Sequence, residues 1–206
     1  GIYDPVNPVV VPVRADFRYR SFKTTAQPQA NAVVIYIMDV SGSMGEEQKE
    51  IVRLESFWIN TWLKKHYKGL ETRFIVHDAS AKEVDEETFF RTSESGGTLI
   101  SSAYKLCHEI IEKEYPADQW NIYPFHFSDG DNLPSDNDAC YQLITQILPL
   151  CNLFGYGEIT SPYYRNSTLL SVFQKIKEDN LTTVTIKNKK EIYPALKKFF
   201  SDKQSS

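Results

Sequence analysis

The order of apolar and polar positions becomes regular near Asn31 and stays regular to the end of the chain. "AVVIYIM" (32–38) is a continuous apolar run, the mark of a strand covered on both faces. Residues 46–67 carry Ile51, Leu54, Trp58 and Trp62 at helical spacing, with Glu46 and Glu47 in the first turn, where acids suit the helix dipole. Both tryptophans read as core. "TRFIVHDA" (72–79) is a second strand, and "AKEVDEETFF" (81–90) a short polar strand suited to a sheet edge. A Gly loop, "SESGGT" (93–98), leads into a helix with Leu99, Ala103, Leu106 and Ile110 on one face. "NIYPFHFSD" (121–129) is another strand, although Pro124 conflicts with a central position. A helix over 136–148, a strand over 151–159, a helix over 167–178, a strand over 181–187 and a helix over 189–201 complete the pattern.

Strand–helix alternation of this kind predicts an α/β fold: a doubly wound, mostly parallel sheet with helices on both faces. Residues 1–30 stand apart. Pro5, Pro8, Pro12 and Pro28 make them irregular, with "DFRYRSF" (16–22) as an edge-strand candidate. The domain itself is expected over 31–206.

Composition narrows the classes without choosing among them. The 206 residues are 41% hydrophobic and 24% charged, ordinary for a globular domain. A net charge of −4 offers no general attraction for nucleic acid or anionic membrane. No apolar run reaches membrane-spanning length and no signal peptide is visible, so a cytoplasmic location with reduced thiols at Cys107, Cys140 and Cys151 is the expectation. The chain begins at Gly1, which reads as a cut-out of a longer protein.

The chemistry concentrates in "DVSGSMG" (39–45), just past the first apolar strand. A nucleophile elbow needs G-x-S-x-G, and Ser41 stands where its first Gly belongs. A phosphate loop needs a Lys that does not follow Gly45. An EF-hand in "DGDNLPSDND" (129–138) fails at Leu133 and Pro134. Ser41 and Ser43 would serve as caps for the helix near Gly45, and Asp136 and Asp138 as caps for the helix near 136. The remaining reading is a hard-cation site. Asp39, Ser41 and Ser43 alternate, and with Thr98 and Asp129 they offer oxygen ligands of the kind Mg²⁺ takes, in its inner and outer shells. Two carboxylates leave charge and a position for a third carboxylate from outside. Glu94, Gly97, His126 and Asp131 are candidates to support the ligands from behind.

D-x-S-x-S after the first strand, Thr98 in a Gly-rich loop and Asp129 in "SDG" resemble the metal-ion-dependent adhesion site of von Willebrand factor type A domains. The resemblance covers about 31–200. It implies five parallel strands and one short antiparallel edge strand, a bound Mg²⁺ with Mn²⁺ or Ca²⁺ as substitutes, and recognition of a partner's Asp or Glu. More narrowly, "IMDVSGSM", "DASAKEVDEETFF", "GGTLISSA" and "YPFHFSDGDN" are similar to the bacterial YeaH/YhbH proteins of stress response and sporulation. That resemblance implies the C-terminal part of a longer protein and a PrkA-type serine protein kinase as partner. The expected function is a non-catalytic, cation-dependent binding module. The alternative is a metal-dependent hydrolase or phosphatase with His126 or Asp131 as base. A third reading gives the ion a purely structural role.

Overall fold

The computed structural model describes residues 31–92, 96–160 and 169–200. The proposed edge strand at 16–22 and Glu94 lie outside them. Six strands form one sheet: β1 (Asn31–Asp39), β2 (Gly69–His77), β3 (Ala81–Val84), β4 (Asn121–Ser128), β5 (Phe154–Ile159) and β6 (Leu181–Ile186). Their order is β3-β2-β1-β4-β5-β6. All neighbours are parallel except β2 and β3, which pair antiparallel from Phe74↔Val84 to His77↔Ala81. The doubly wound, mostly parallel sheet of the sequence reading is therefore the observed one.

The helices are α1 (Glu46–His66), α2 (Glu86–Arg91), α3 (Ile100–Glu114), α4 (Asn137–Ile147), α5 (Leu169–Phe173) and α6 (Ile192–Phe200). Side chains alternate across a strand, so β1 feeds two cores. Val34, Tyr36 and Met38 pack with Ile51 and Ile59 of α1, Phe89 of α2 and Phe199 of α6. Val33, Ile35 and Ile37 pack with Tyr104 and Cys107 of α3, Ile144 of α4 and Val172 of α5. The three cysteines are buried thiols.

Three expectations need correction. The segment 81–90 is strand only to Val84. Asp85 then accepts a hydrogen bond from the Thr88 N–H (2.7 Å) and starts α2, which sends Phe89 into the core. The inner stripe of α1 is Ile51, Val52, Glu55, Ser56, Ile59 and Leu63, so Trp58 is 49% exposed and Trp62 only partly buried, against Phe200. Asp136 does not cap α4; its carboxylate accepts from the Ser101 N–H at the start of α3 (2.9 Å). Pro124 does occupy a central strand. The N–H and C=O of Ile122 both face Asn152, so the Pro124 nitrogen two residues on faces the same side, just before the β4–β5 ladder starts at Phe125↔Gly155. The missing donor thus falls where no ladder bond is due.

Close packing singles out β5. A Cβ on Gly155 would enter the Phe125 ring, and one on Gly157 would lie 2.5 Å from Phe127 Cδ1. Both rings are fully buried. Gly155→Ala and Gly157→Ala are each expected to cost about 1–3 kcal/mol by overpacking. Urea unfolding checks this; a wild-type midpoint for either variant contradicts the packing described.

Candidate metal centre

In an open parallel sheet the ligand crevice lies beyond the carboxyl ends of the strands where strand order reverses. Here that point lies between β1 and β4. Asp39 ends β1, and "SDG" ends β4 with Gly130 at φ 81°, a turn conformation that favours Gly.

Asp39 is fully buried and both of its oxygens are used. Oδ1 accepts from the Ser41 N–H (2.8 Å), and Oδ2 accepts from the Ser128 hydroxyl (2.8 Å). Ser128 Oγ in turn accepts from the Gly130 N–H (3.0 Å), so one hydroxyl ties the ends of both strands together. The tight turn at Asp39 brings Ser41 Oγ to 3.2 Å from Ser43 Oγ. Neither serine caps α1: Gly45 holds the cap position, with no side-chain cap bond.

Asp129 is also buried. Its Oδ1 accepts from the Asp131 N–H (3.1 Å), while Oδ2 is buried without a hydrogen bond. Burial pushes this carboxyl up to about 6; the charges of Asp39 and Asp131 add to the rise, and the Ser43 hydroxyl and the Asp131 N–H oppose it. Above these groups lies a cleft of 240 Å³ lined by Ser41, Ser43, Gly96, Gly97, Thr98 and Asp131, among others. The hydroxyls of the sequence reading thus face one cleft, and its two carboxylates lie beneath it. Among the described residues no three His, Cys, Asp or Glu side chains are grouped to hold an ion, and what the cleft would offer one is two carboxylates with hydroxyls. Such a set fits a hard cation that keeps part of its water shell. The buried, unpaired Asp129 Oδ2 is an oxygen that a cation or its water would satisfy.

The Thr98 loop is held by neighbours that the motif reading overlooked. The Leu99 N–H donates to the Asp78 carbonyl (2.8 Å), the Ile100 N–H to Asn132 Oδ1 (3.4 Å) and the Ser101 N–H to Asp136. These are the free donors at the start of α3, and the acidic loop after β4 supplies two of the acceptors. Asn132 and Asp136 carry little sequence signal beyond membership of a polar loop.

His126 does not reach the cleft. It is fully buried on the α3 face of β4, with Nε2 3.0 Å from His77 Nε2 and Nδ1 2.7 Å from the Tyr104 hydroxyl. Burial holds its pKa well below the usual range, and His77 adds to the fall. His77 is lowered too, by burial, against the opposing charges of Asp39, Asp78 and Asp136. Both imidazoles pack the core beneath the site. Of the two bases named for a hydrolase, Asp131 alone lines the cleft.

The geometry defines a class: a doubly wound α/β domain with a carboxylate–hydroxyl cleft at its switch point. A family model described as "Protein of unknown function (DUF444)" matches residues 9–203, and the chain belongs to that family. It is 44% identical over 187 residues to UPF0229 proteins of Bacillus cereus (strain B4264) and Bacillus thuringiensis (strain Al Hakam), covering 91% of this chain and 48% of each relative. The chain therefore spans about half the length of those relatives. Similar folds occur in the PilB minor pilin of Streptococcus sanguinis (TM-score 0.62, 13% identity, 86% of this chain and 61% of that one). An aerotolerance-related membrane protein of Bacteroides fragilis is another (TM-score 0.54, 12% identity, 82% and 99%). At those identities the likeness is one of fold. Among the described residues no helix is long and apolar enough to cross a membrane.

Proposed function

We propose that this chain is a divalent-cation-dependent protein-binding module. Ser41, Ser43 and Thr98 hold Mg²⁺ directly or through water, and Asp39 and Asp129 supply the negative charge beneath it. A partner's Asp or Glu takes the position that the cleft leaves open. The observation that carries this reading is the buried, unpaired Asp129 Oδ2 under a cleft lined by three hydroxyl side chains. A carboxylate in that condition costs stability unless a cation faces it. The resemblance to adhesion-site domains agrees with the same five residues. The narrower resemblance makes a cytoplasmic role in bacterial stress response or sporulation the expected setting, and a PrkA-type serine protein kinase the first partner to try.

Titration calorimetry with MgCl₂ tests the site. Wild type should bind, and Ser41→Ala/Ser43→Ala should bind at least about tenfold more weakly, since two oxygen ligands or their water contacts are lost. Equal affinity in both proteins, or no binding to wild type at millimolar Mg²⁺, contradicts the assignment. Partner capture that persists unchanged in EDTA argues against a bridging ion.

A further inference from the structure

A groove larger than the cleft, of 660 Å³, lies between α1 and α6, on the other face of the sheet from α3. Trp62 and Phe200 form its stacked floor, with ring centroids 3.8 Å apart. Leu54, Ile192 and Leu196 add apolar wall. Trp58 and Tyr193 line it while 49% and 75% exposed, and Phe57 beside Trp58 is 58% exposed. Large aromatics on a surface are unusual unless something covers them.

The rim is basic. Lys65, Lys189, Lys190 and Lys197 all line the groove. Lys189 is paired with Glu50 (2.7 Å), and the other three have no carboxylate partner among the described residues. On a chain of net charge −4 this is a local reversal of sign. Composition also argues against residues 1–30 and 201–206 as occupants. Residues 1–30 carry Arg14, Arg18, Arg20 and Lys23 against Asp4 and Asp16, and 201–206 (SDKQSS) contain no apolar anchor.

We infer that this groove is a second docking surface, and that its occupant is an acidic amphipathic helix of a partner protein. Its apolar face would lie along Trp58, Trp62 and Phe200, with its carboxylates against Lys65, Lys190 and Lys197, the helix-in-groove mode of recognition. Aromatic anchors supply affinity and the lysines select sign. The surface is independent of the cation cleft, so occupancy needs no metal.

The test uses two labelled synthetic amphipathic helices with Leu and Phe at i, i+3, i+4 and i+7. One carries Glu at its polar positions and the other Lys. Fluorescence anisotropy in EDTA should show the Glu helix binding with a Kd of about 10 µM and the Lys helix at least about tenfold weaker. Lys65→Glu/Lys197→Glu should invert that preference, and Trp58→Ala/Tyr193→Ala should weaken the Glu helix about tenfold or more. Adding Mg²⁺ in place of EDTA should leave it unchanged, and added salt should weaken it. Melting curves verify that the exposed substitutions leave the fold intact. The proposal is overturned if the Glu helix fails to bind, binds the charge-reversed variant equally, or binds only with Mg²⁺. It is overturned too if phosphatidylglycerol vesicles bind wild type and displace the helix, which would make the surface a membrane contact.

Discussion

Asp129→Asn is expected to make the metal-free protein more stable and blind to Mg²⁺. The carboxyl is buried, its Oδ2 has no hydrogen bond, and burial together with Asp39 and Asp131 raises its pKa to about 6. In the unfolded chain the group ionises near 3.8, so between about 3.8 and 6 the folded state holds the extra proton. Stability is therefore lost as pH rises through that window, and at neutral pH the metal-free fold carries the full penalty. Asn keeps an acceptor for the Asp131 N–H and removes the charge. A gain of about 1–2 kcal/mol, or roughly 2–8 °C in melting temperature, is expected at pH 7 in EDTA. Mg²⁺ at a hundredfold excess over Kd should stabilise wild type by about 2.7 kcal/mol, enough to overtake the variant. Differential scanning fluorimetry with and without MgCl₂ checks both halves. A less stable Asn variant in EDTA, or one that still responds to Mg²⁺, would remove the basis of the site. Asp39→Asn should behave differently. Both Asp39 oxygens accept hydrogen bonds, so an amide NH₂ in place of Oδ2 would face the Ser128 hydroxyl, and the junction of β1 and β4 should weaken even without metal.

The contrast between these two aspartates shows what the sequence could and could not carry. Alternation of apolar runs and helical spacing was enough for the sheet, because β1 is buried on both faces and its letters say so. The five-residue motif was legible because spacing and strand ends place Asp39, Ser41, Ser43, Thr98 and Asp129 at one rim. Which oxygen is already satisfied was not legible. Ser128 sat inside the quoted strand yet gave no sign that it would donate to Asp39 across 89 positions. The acidic loop after β4 has the letters of a cap for the helix that follows it, whereas Asp136 reaches back to α3, because that helix start lies beside the same switch point. His126 looked like a neighbour of the site because it lies three residues before Asp129; strand alternation turns it into the core with His77 and Tyr104. The rotation of α1 is hidden for a chemical reason: its largest apolar letters are Leu54, Trp58 and Trp62, whereas the inward stripe contains Glu55 and Ser56.

That buried glutamate leads to the second large effect. Glu55→Leu should stabilise the protein and flatten its dependence on pH. Glu55 is fully buried against the sheet, and neither carboxylate oxygen has a hydrogen bond. Beneath α1, the Tyr36 hydroxyl donates to the Ser56 carbonyl (2.9 Å) and so is not spent on the acid. Burial raises the Glu55 pKa from 4.5 to about 8. The unfolded chain releases this proton above about 4.5 and the folded chain keeps it until about 8, so the folded state binds more protons throughout that interval. The contribution of this group to stability should therefore fall as pH rises from about 5 to 8, by on the order of 1 kcal/mol per pH unit. The comparison with the variant isolates Glu55, because Asp129, which contributes the same sign up to about 6, and the buried His77 and His126, whose lowered values act in the opposite sense, titrate alike in both proteins. Leu has similar length, needs no hydrogen bond and joins Ile51, Val52 and Ile59 in the α1 face of the core. Replacing an unpaired buried acid in this way is expected to add about 1–3 kcal/mol at pH 8 and less at pH 6. Urea midpoints of wild type and variant at pH 6, 7 and 8 give the comparison. Parallel lines would mean that Glu55 finds a partner or water in solution; converging lines toward low pH are the expected result. Glu55→Gln separates charge from polarity: it should lose the pH slope while keeping most of the cost of an unpaired polar group, and so fall below Leu at every pH.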